Sequence, residues 1–326
     1  MNGVDSQLRE IKEFLQSLTP REEFLYIIQP CSIGDFLMVG GLAHAVQKRK
    51  NKIASVIIVN ERMKNLNISY DEVAEVVYLP TSTMEALKYY FYSSADYEGD
   101  NYIYGHFRIK GGDFDWDTNL NFIDRYKKNV LHVPLDTLYF APTVETLTDS
   151  EIMEVMNNYC IDKERTIILV PYTNSTKQFG MDFWETMVNC LSQRGFICYT
   201  NVDGISEQPI KGAQAISMDF RGVNFISDKV NCFIGGRNGF FDFLAMTKAR
   251  IFDINPFPKW LWDLKLMYPS CNCLTFYDAS DYVKPIAEYL SRECVGATMK
   301  LSHEHIDAKN IIYYPDELLQ KIVSSV

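Results

Sequence analysis

The stretch FLYIIQPCSIGD, residues 24–35, is an apolar run that ends in a glycine turn and leads into a second apolar run. About two hundred residues later, CFIGGRNGFFD at residues 232–242 has the same organisation. Each stretch predicts a strand, a tight turn and the first turn of a helix. Such a helix start offers free backbone N–H groups and a positive dipole end to an anion.

Strand and helix patterns alternate in both halves of the chain, which predicts an α/β fold with parallel sheets. With one glycine turn in each half, we expect two Rossmann-like domains that face each other across a cleft. A polar stretch between Pro134 and Pro142 indicates the boundary, so the domains are predicted at 1–142 and 143–326, with a helix over 143–158. Strands are also predicted at 55–59, 76–79, 102–104, 166–170, 196–200 and 250–254, and helices at 36–50, 181–194, 239–248, 282–293 and 315–323.

Length and composition are those of an ordinary globular protein. The 326 residues are enough for two domains, and 47% of them are hydrophobic while 23% are charged. The net charge of −10 argues against nucleic-acid binding, which needs a net basic surface. It also argues against broad adhesion to anionic lipid, although a local basic patch would allow peripheral membrane contact.

Targeting signals and cysteine usage indicate a cytoplasmic protein. The N-terminus has no basic and apolar signal segment, and no apolar run approaches the roughly 20 residues that span a bilayer. Most of the eight cysteines lie inside apolar runs, which is typical of buried reduced thiols. The spacing of Cys271, Cys273, Cys294, His303 and His305 matches no usual structural zinc pattern. We therefore expect a cytoplasmic location, compatible with the inner face of the cell membrane.

Asp35 is the candidate catalytic residue of the first half. It follows Ser32 and Gly34 in a turn that could bind an acceptor or a phosphate, at the carboxyl edge of the predicted sheet, where open α/β folds bind ligands. A carboxylate there could accept a proton from a hydroxyl. The alternative is that Asp35 only caps the helix that begins at Phe36.

The candidate anion-binding residues of the second half lie in two loops. The loop VPYTNSTK at 170–177 combines hydroxyls, backbone N–H groups and one ammonium, which suit a diphosphate, although an ordinary solvated loop has the same composition. In the second glycine turn, Arg237 offers a planar donor fork, Asn238 could cap the helix, and Asp242 could accept from ribose hydroxyls or complement the helix dipole. The candidate donor-binding residues are Tyr172, Thr173, Ser175, Thr176, Lys177, Gly236, Arg237, Asn238, Gly239 and Asp242.

Metal binding is not expected. The segment DFDWD at 113–117 contains an Asp-x-Asp pattern that could hold magnesium or manganese, but it follows two glycines instead of a continuous apolar strand. A solvated loop is the favoured interpretation. His44, His106 and His132 lie in apolar or mixed runs and are expected to be structural.

These motifs resemble the GT-B glycosyltransferases of the ADP-heptose–lipopolysaccharide heptosyltransferase type. The turn at 32–35 is similar to that family's N-terminal Gly-Asp turn, and Lys177 ahead of 183–184 is similar to its phosphate-contacting lysine. Residues 218–222, followed by 237–245, match its late donor-binding region. The family's Asp-Ser/Thr-Gly turn and following His are replaced by Arg237-Asn238-Gly239 and Asp242, which looks more like transferases of capsule and O-antigen clusters.

The resemblance implies transfer of a sugar from a nucleotide-diphosphate sugar to a hydroxyl of a bacterial cell-surface glycan or glycolipid. It implies Asp35 as general base, a donor held by the second domain and no further cofactor. Inversion of the sugar configuration is the favoured outcome, and retention is left open. The sugar is not specified as hexose or heptose, and the oligomeric state is left open.

Two alternatives remain, a nucleotide-sugar epimerase of similar two-lobed fold and a non-catalytic nucleotide-binding protein on a degenerate transferase fold. A nicotinamide oxidoreductase is disfavoured, because neither turn reads G-x-G-x-x-G.

Overall fold

The structure is a computed structural model that describes residues 9, 11, 13–14, 16–17, 22–93, 97–107, 120–173, 180–203, 206–255, 264–268 and 270–277. The chain divides into two compact units, Met1–Glu145 and Thr146–Val326. The helices predicted at 282–293 and 315–323, and the Asp-x-Asp segment at 113–117, lie outside the described residues.

The first unit is built on a four-stranded parallel sheet. The strands of the whole unit are β1 (Phe24–Gln29), β2 (Ala54–Asn60), β3 (Ile68–Ser69), β4 (Val73–Leu79), β5 (Tyr102–Tyr104) and β6 (Thr143–Val144). Its helices are α1 (Ile33–Arg49), α2 (Thr81–Ser93) and α3 (Phe122–Arg125), with a 3₁₀ helix at Glu61–Leu66 and a π-helical turn at Tyr126–Val130. The sheet order is β4-β2-β1-β5, and β3 pairs with β6 in a separate antiparallel ribbon.

Helix α1 lies in the core of the first unit, which explains why its sequence is apolar on most faces. Its glycines allow two tyrosine rings to approach, since a Cβ on Gly40 would meet the ring of Tyr70 and a Cβ on Gly41 would meet the ring of Tyr139. Both tyrosine hydroxyls donate to the carbonyl of Leu37, at 3.2 and 3.0 Å. No helix in the described ranges is both long and apolar enough to cross a bilayer.

The second unit contains a six-stranded sheet in which every pairing is parallel. Its strands are β7 (Thr166–Val170), β8 (Ile197–Asn201), β9 (Gln214–Ile216), β10 (Cys232–Gly236), β11 (Arg250–Asn255) and β12 (Asn272–Tyr277). Its helices are α4 (Asp149–Asn158), α5 (Met181–Ser192), α6 (Phe220–Ile226), α7 (Gly239–Leu244) and α8 (Leu264–Met267). The order β12-β11-β10-β7-β8-β9 is the doubly wound order of Rossmann folds.

The core of the second unit explains why β7 and β10 read as continuous apolar runs. Both strands are fully buried, and α5 packs Trp184 into the hydrophobic cluster that they form. Gly235 is required where β10 approaches β7, because a Cβ there would lie 2.5 Å from the carbonyl oxygen of Val170 and 2.8 Å from the Phe241 ring. The alternation of strands and helices therefore yields the two parallel α/β units that the sequence predicts.

The connection between the units differs from the predicted helix over 143–158. Strand β6 pairs with β3 of the first unit, and the helix begins only at Asp149. Thr148 and Glu151 form a capping box there, with the Thr148 backbone N–H donating to Glu151 Oε2 at 2.8 Å. The first unit thus extends three residues beyond the predicted boundary at 142, because pairing holds 143–144 against it.

Candidate functional site

The strand order of the first unit reverses between β1 and β5. In open α/β sheets, ligands bind outside the carboxyl ends of the strands at such a reversal point. Cys31 and Ser32 lie in the turn after β1, and Asp35 lies in the first turn of α1. His106 lies two residues after β5. The sheet therefore brings a thiol, a carboxylate and an imidazole to one place from two distant parts of the sequence.

Asp35 caps its own helix and lies at this reversal point. Its Oδ2 accepts hydrogen bonds from the Ser32 backbone N–H at 3.2 Å and from the Ser32 hydroxyl at 2.7 Å. Its Oδ1 accepts the Tyr126 hydroxyl at 2.5 Å. One carboxylate oxygen of Asp35 therefore takes part in the helix cap, while the other accepts from Tyr126. Gly34 is buried beside it in the first turn of α1.

Tyr126 is a site residue that sequence reasoning missed. It begins the π-helical turn after α3, a distortion that occurs frequently at functional sites, and its side chain is fully buried. Burial raises the pKa of Tyr126 well above its ordinary value, and the negative charge of Asp35 raises it further. The hydroxyl therefore stays protonated across the physiological pH range and keeps donating to Asp35.

His106 lies at the site, although the sequence indicated only a structural role. Its Nε2 is 3.7 Å from Asp35 Oδ1, and its Nδ1 is 3.1 Å from the carbonyl oxygen of Phe107. A carbonyl oxygen can only accept, so Nδ1 carries the hydrogen and Nε2 is directed towards the carboxylate. The signal that could have found it is the Gly105-His106 pair directly after the predicted strand at 102–104.

Cys31, Asp35 and His106 form a group that could hold a metal ion. The sequence did not indicate this group, and no metal site was expected. The ligand atoms of Cys31, Asp35 and His106 all lie within 4.8 Å of one another.

The other two histidines within the described ranges, His44 and His132, contact aromatic side chains. The His44 ring packs edge to face against Phe140, and burial lowers the pKa of His44. The Nε2 of His132 lies 3.4 Å from the Tyr97 hydroxyl.

The strand order of the second unit reverses between β7 and β10, and the two predicted donor loops meet there. The Asn238 side-chain amide donates to the carbonyl of Tyr172 at 2.9 Å, and the Thr173 hydroxyl donates to the carbonyl of Arg237 at 3.2 Å. Asn238 also caps α7 by accepting the Phe241 backbone N–H at 3.0 Å. Ser175, Thr176 and Lys177 lie outside the described residues.

Arg237 and Asp242 have a different geometry from the predicted one. The sequence offers the guanidinium to phosphate, and the carboxylate either to ribose hydroxyls or to the helix dipole. In the structure the two side chains form a buried bidentate ion pair with N–O distances of 2.8 and 2.6 Å. Burial alone would lower the Arg237 pKa, yet the carboxylates of Asp242 and Asp253 raise it. Arg237 Nη1 also donates to the carbonyl of Asn238 at 2.8 Å. This pair braces the glycine turn from inside the unit.

Comparison with known proteins supports the fold and no more. No protein-family model and no curated protein matches the sequence. Among solved structures, the chain is similar to a glycosyl transferase family 9 protein from Veillonella parvula, with a TM-score of 0.55, 10% identity and coverage of 92% of this chain and 98% of that one. It is also similar to the E. coli ADP-heptose lipopolysaccharide heptosyltransferase II, with a TM-score of 0.54, 13% identity and coverage of 83% and 98%. The chain therefore has the GT-B fold of these glycosyltransferases, as its sequence predicts.

Proposed function

We propose that this protein transfers a sugar from a nucleotide-diphosphate sugar to a hydroxyl of a bacterial cell-surface glycan or glycolipid. A fold by itself does not assign a reaction, so the proposal depends on the site. The observation that carries it is Asp35, held by Ser32 and Tyr126 at the reversal point of the first sheet with His106 beside it. We further propose that transfer occurs in the cytoplasm, at the inner membrane face when the acceptor is a glycolipid.

In the proposed mechanism, the acceptor hydroxyl lies against Asp35 and attacks the anomeric carbon on the face opposite the diphosphate. A new C–O bond forms, the bond from the anomeric carbon to the diphosphate oxygen breaks, and the hydroxyl proton passes to the Asp35 carboxylate. Tyr126 and Ser32 keep that carboxylate oriented, so no reorganisation is needed when the proton moves. This geometry inverts the configuration of the sugar.

We assign the nucleotide-diphosphate to the second unit, at the meeting point of the two loops after β7 and β10. Backbone N–H groups there, together with the Lys177 ammonium, would offset the charge that develops on the leaving diphosphate. The buried pair of Arg237 and Asp242 supports this assignment indirectly, because it holds the turn at Gly236 and Gly239 in a fixed conformation. The role of Arg237 in this proposal is positioning.

The test is a binding and turnover screen with purified protein. Nucleoside diphosphates and their sugars are first compared by thermal shift, because a ligand that binds the native state raises its melting temperature. Donors that bind are then incubated with and without glycan acceptors, and released nucleotide and product anomer are measured. Transfer with an inverted product supports the proposal. Binding with no turnover under any acceptor would contradict it and favour a non-catalytic nucleotide-binding protein.

Replacing Lys177 with alanine is expected to weaken nucleotide-diphosphate binding about ten- to hundredfold. A hydrogen bond to a charged group contributes roughly 1.5–3 kcal/mol, and that contact would be lost. Calorimetry with the free nucleoside diphosphate measures the change. The matched control is Lys211→Ala, since Lys211 is an exposed lysine of the same unit, and its affinity should equal wild type. Equal affinities in both variants would remove Lys177 from the donor site.

Turnover is expected to survive EDTA. Helix ends and cationic side chains can stabilise the leaving diphosphate, which leaves no necessary task for a divalent ion on the donor. Initial rates with and without chelator measure this. The opposite result would be turnover that is lost in EDTA, returns with manganese and is abolished by Asp113→Ala. That result would instead place a catalytic ion at residues 113–117.

A further inference from the structure

We propose that Cys31 Sγ, Asp35 Oδ1 and His106 Nε2 form a zinc-binding site in the first unit, and that a bound ion prevents Asp35 from accepting a proton. The ligand atoms are already grouped, since all of them lie within 4.8 Å of one another. The group joins two turns that the parallel sheet holds side by side, β1 to α1 and the exit from β5. Binding would therefore need only small side-chain adjustments.

The hydrogen-bond directions favour a cation at this place. Nδ1 of His106 donates to the Phe107 carbonyl, so Nε2 is the ring nitrogen that faces Asp35 Oδ1, 3.7 Å away. A positive species between this nitrogen and the carboxylate oxygen, either a proton or a metal ion, would stabilise both groups. A ligating histidine whose other ring nitrogen donates to a backbone carbonyl is the usual arrangement in metal sites.

The presence of Cys31 favours a metal ion over a proton between His106 and Asp35. A thiol adds little to a proton shared between His106 and Asp35, whereas a thiolate is a strong ligand for zinc. Cysteine sulfur, histidine nitrogen and carboxylate oxygen are each ordinary zinc ligands, and zinc sites with three protein ligands keep a fourth position open. Asp35 suits this role, because Ser32 and Tyr126 fix its orientation as outer-shell partners of a metal ligand do.

Occupation of this site would affect transfer, and this step depends on the proposed function. The Asp35 oxygen that binds the ion is no longer available to accept a proton from an acceptor hydroxyl, so zinc and proton acceptance compete. We therefore expect zinc to inhibit turnover and EDTA to reverse the inhibition. Binding of the ion itself is argued from the ligand geometry alone and does not require a transferase activity.

The binding test uses the full chain after removal of metal with chelator. Titration with Co²⁺, a spectroscopic substitute for zinc, is expected to produce a thiolate-to-cobalt charge-transfer band that Zn²⁺ then abolishes by displacement. Cys31→Ser should remove this band, because it removes the thiolate ligand. His106→Gln should weaken Zn²⁺ binding by about tenfold or more, since even the loss of an outer-shell partner of a metal ligand costs roughly 10–100-fold. Cys160→Ser is the matched control, since Cys160 is exposed and lies outside the group, and it should behave as wild type.

Two results would overturn the site. One is a wild-type protein with no charge-transfer band on Co²⁺ addition. The other is a band and a Zn²⁺ affinity that persist unchanged in Cys31→Ser, with circular dichroism confirming that the variant is folded. The turnover arm is separate: wild type should be inhibited by Zn²⁺ more strongly than Cys31→Ser, each relative to its own metal-free rate. Absence of turnover in metal-free wild type would count against the proposed function, while the cobalt titration still decides the zinc site.

Discussion

Replacing Asp35 with asparagine is expected to lower kcat by about 10²–10⁴-fold, the usual contribution of a general base. The amide has nearly the same shape as the carboxylate and keeps one oxygen for hydrogen bonds, but it cannot accept the proton of an attacking hydroxyl. The affinity for the nucleotide sugar should stay near wild type, because we assign the donor to the second unit. Steady-state kinetics with a saturating acceptor, together with donor calorimetry, separate these two effects.

The control for this variant is Asp71→Asn, which removes an exposed carboxylate from the same unit and should leave kcat unchanged. Thermal unfolding of Asp35→Asn measures the capping role separately from kcat, since the loss of a charged helix cap lowers the stability of the fold. If Asp35→Asn retained full turnover with the true acceptor, Asp35 would act only as a cap. The base would then be another group, or the reaction would retain the sugar configuration.

Asp242→Ala is expected to destabilise the second unit by about 3–5 kcal/mol, because removing one partner of a buried ion pair leaves the other charge buried and uncompensated. Asp242 and Arg237 are 2% and 6% exposed, so water cannot solvate the remaining guanidinium. Arg237→Met should cost at least as much, since it removes the cation that faces both Asp242 and Asp253. Urea unfolding followed by circular dichroism measures the loss as a shift of the transition midpoint.

Two further variants make this prediction specific. In the double variant Arg237→Met/Asp242→Leu, the loss should be smaller than the sum of the single losses, because neither partner is left behind. Arg165→Ala breaks an ion pair whose arginine side chain is 60% exposed, and it should shift the midpoint much less. A loss below about 1 kcal/mol for Asp242→Ala would show that water reaches the pair.

Much of the fold could be predicted from the sequence. Buried parallel strands read as continuous apolar runs, so β1, β7 and β10 are identified from such runs and the turns that end them. Strand β9, with three residues at the edge of the sheet and two of them exposed, has no such run and was missed. The start of α4 was placed too early, because the pairing of β6 with β3 overrides the local pattern at 143–144.

The candidate site was predicted only where its residues follow a glycine turn. Asp35 and Asn238 were found because each lies at the start of a helix directly after a strand. Tyr126 was not found, because a π-helical turn leaves no periodic signal in the sequence. Arg237 and Asp242 were assigned to ligand chemistry because their spacing of five residues does not show that one side chain folds back on the other.

The sequence by itself determined the two α/β units, the position of each glycine turn and the place of Asp35 in the first turn of a helix. These features depend on local patterns of apolar residues, glycines and helix caps, which act over a few neighbouring residues. Only the tertiary structure decided that Cys31 and Asp35 meet His106, and that Arg237 is held by Asp242. The first grouping depends on β5 pairing beside β1, across more than seventy residues of chain. Burial accounts for the pairing of Arg237 with Asp242, because inside the unit a guanidinium needs a carboxylate to replace the water it has lost.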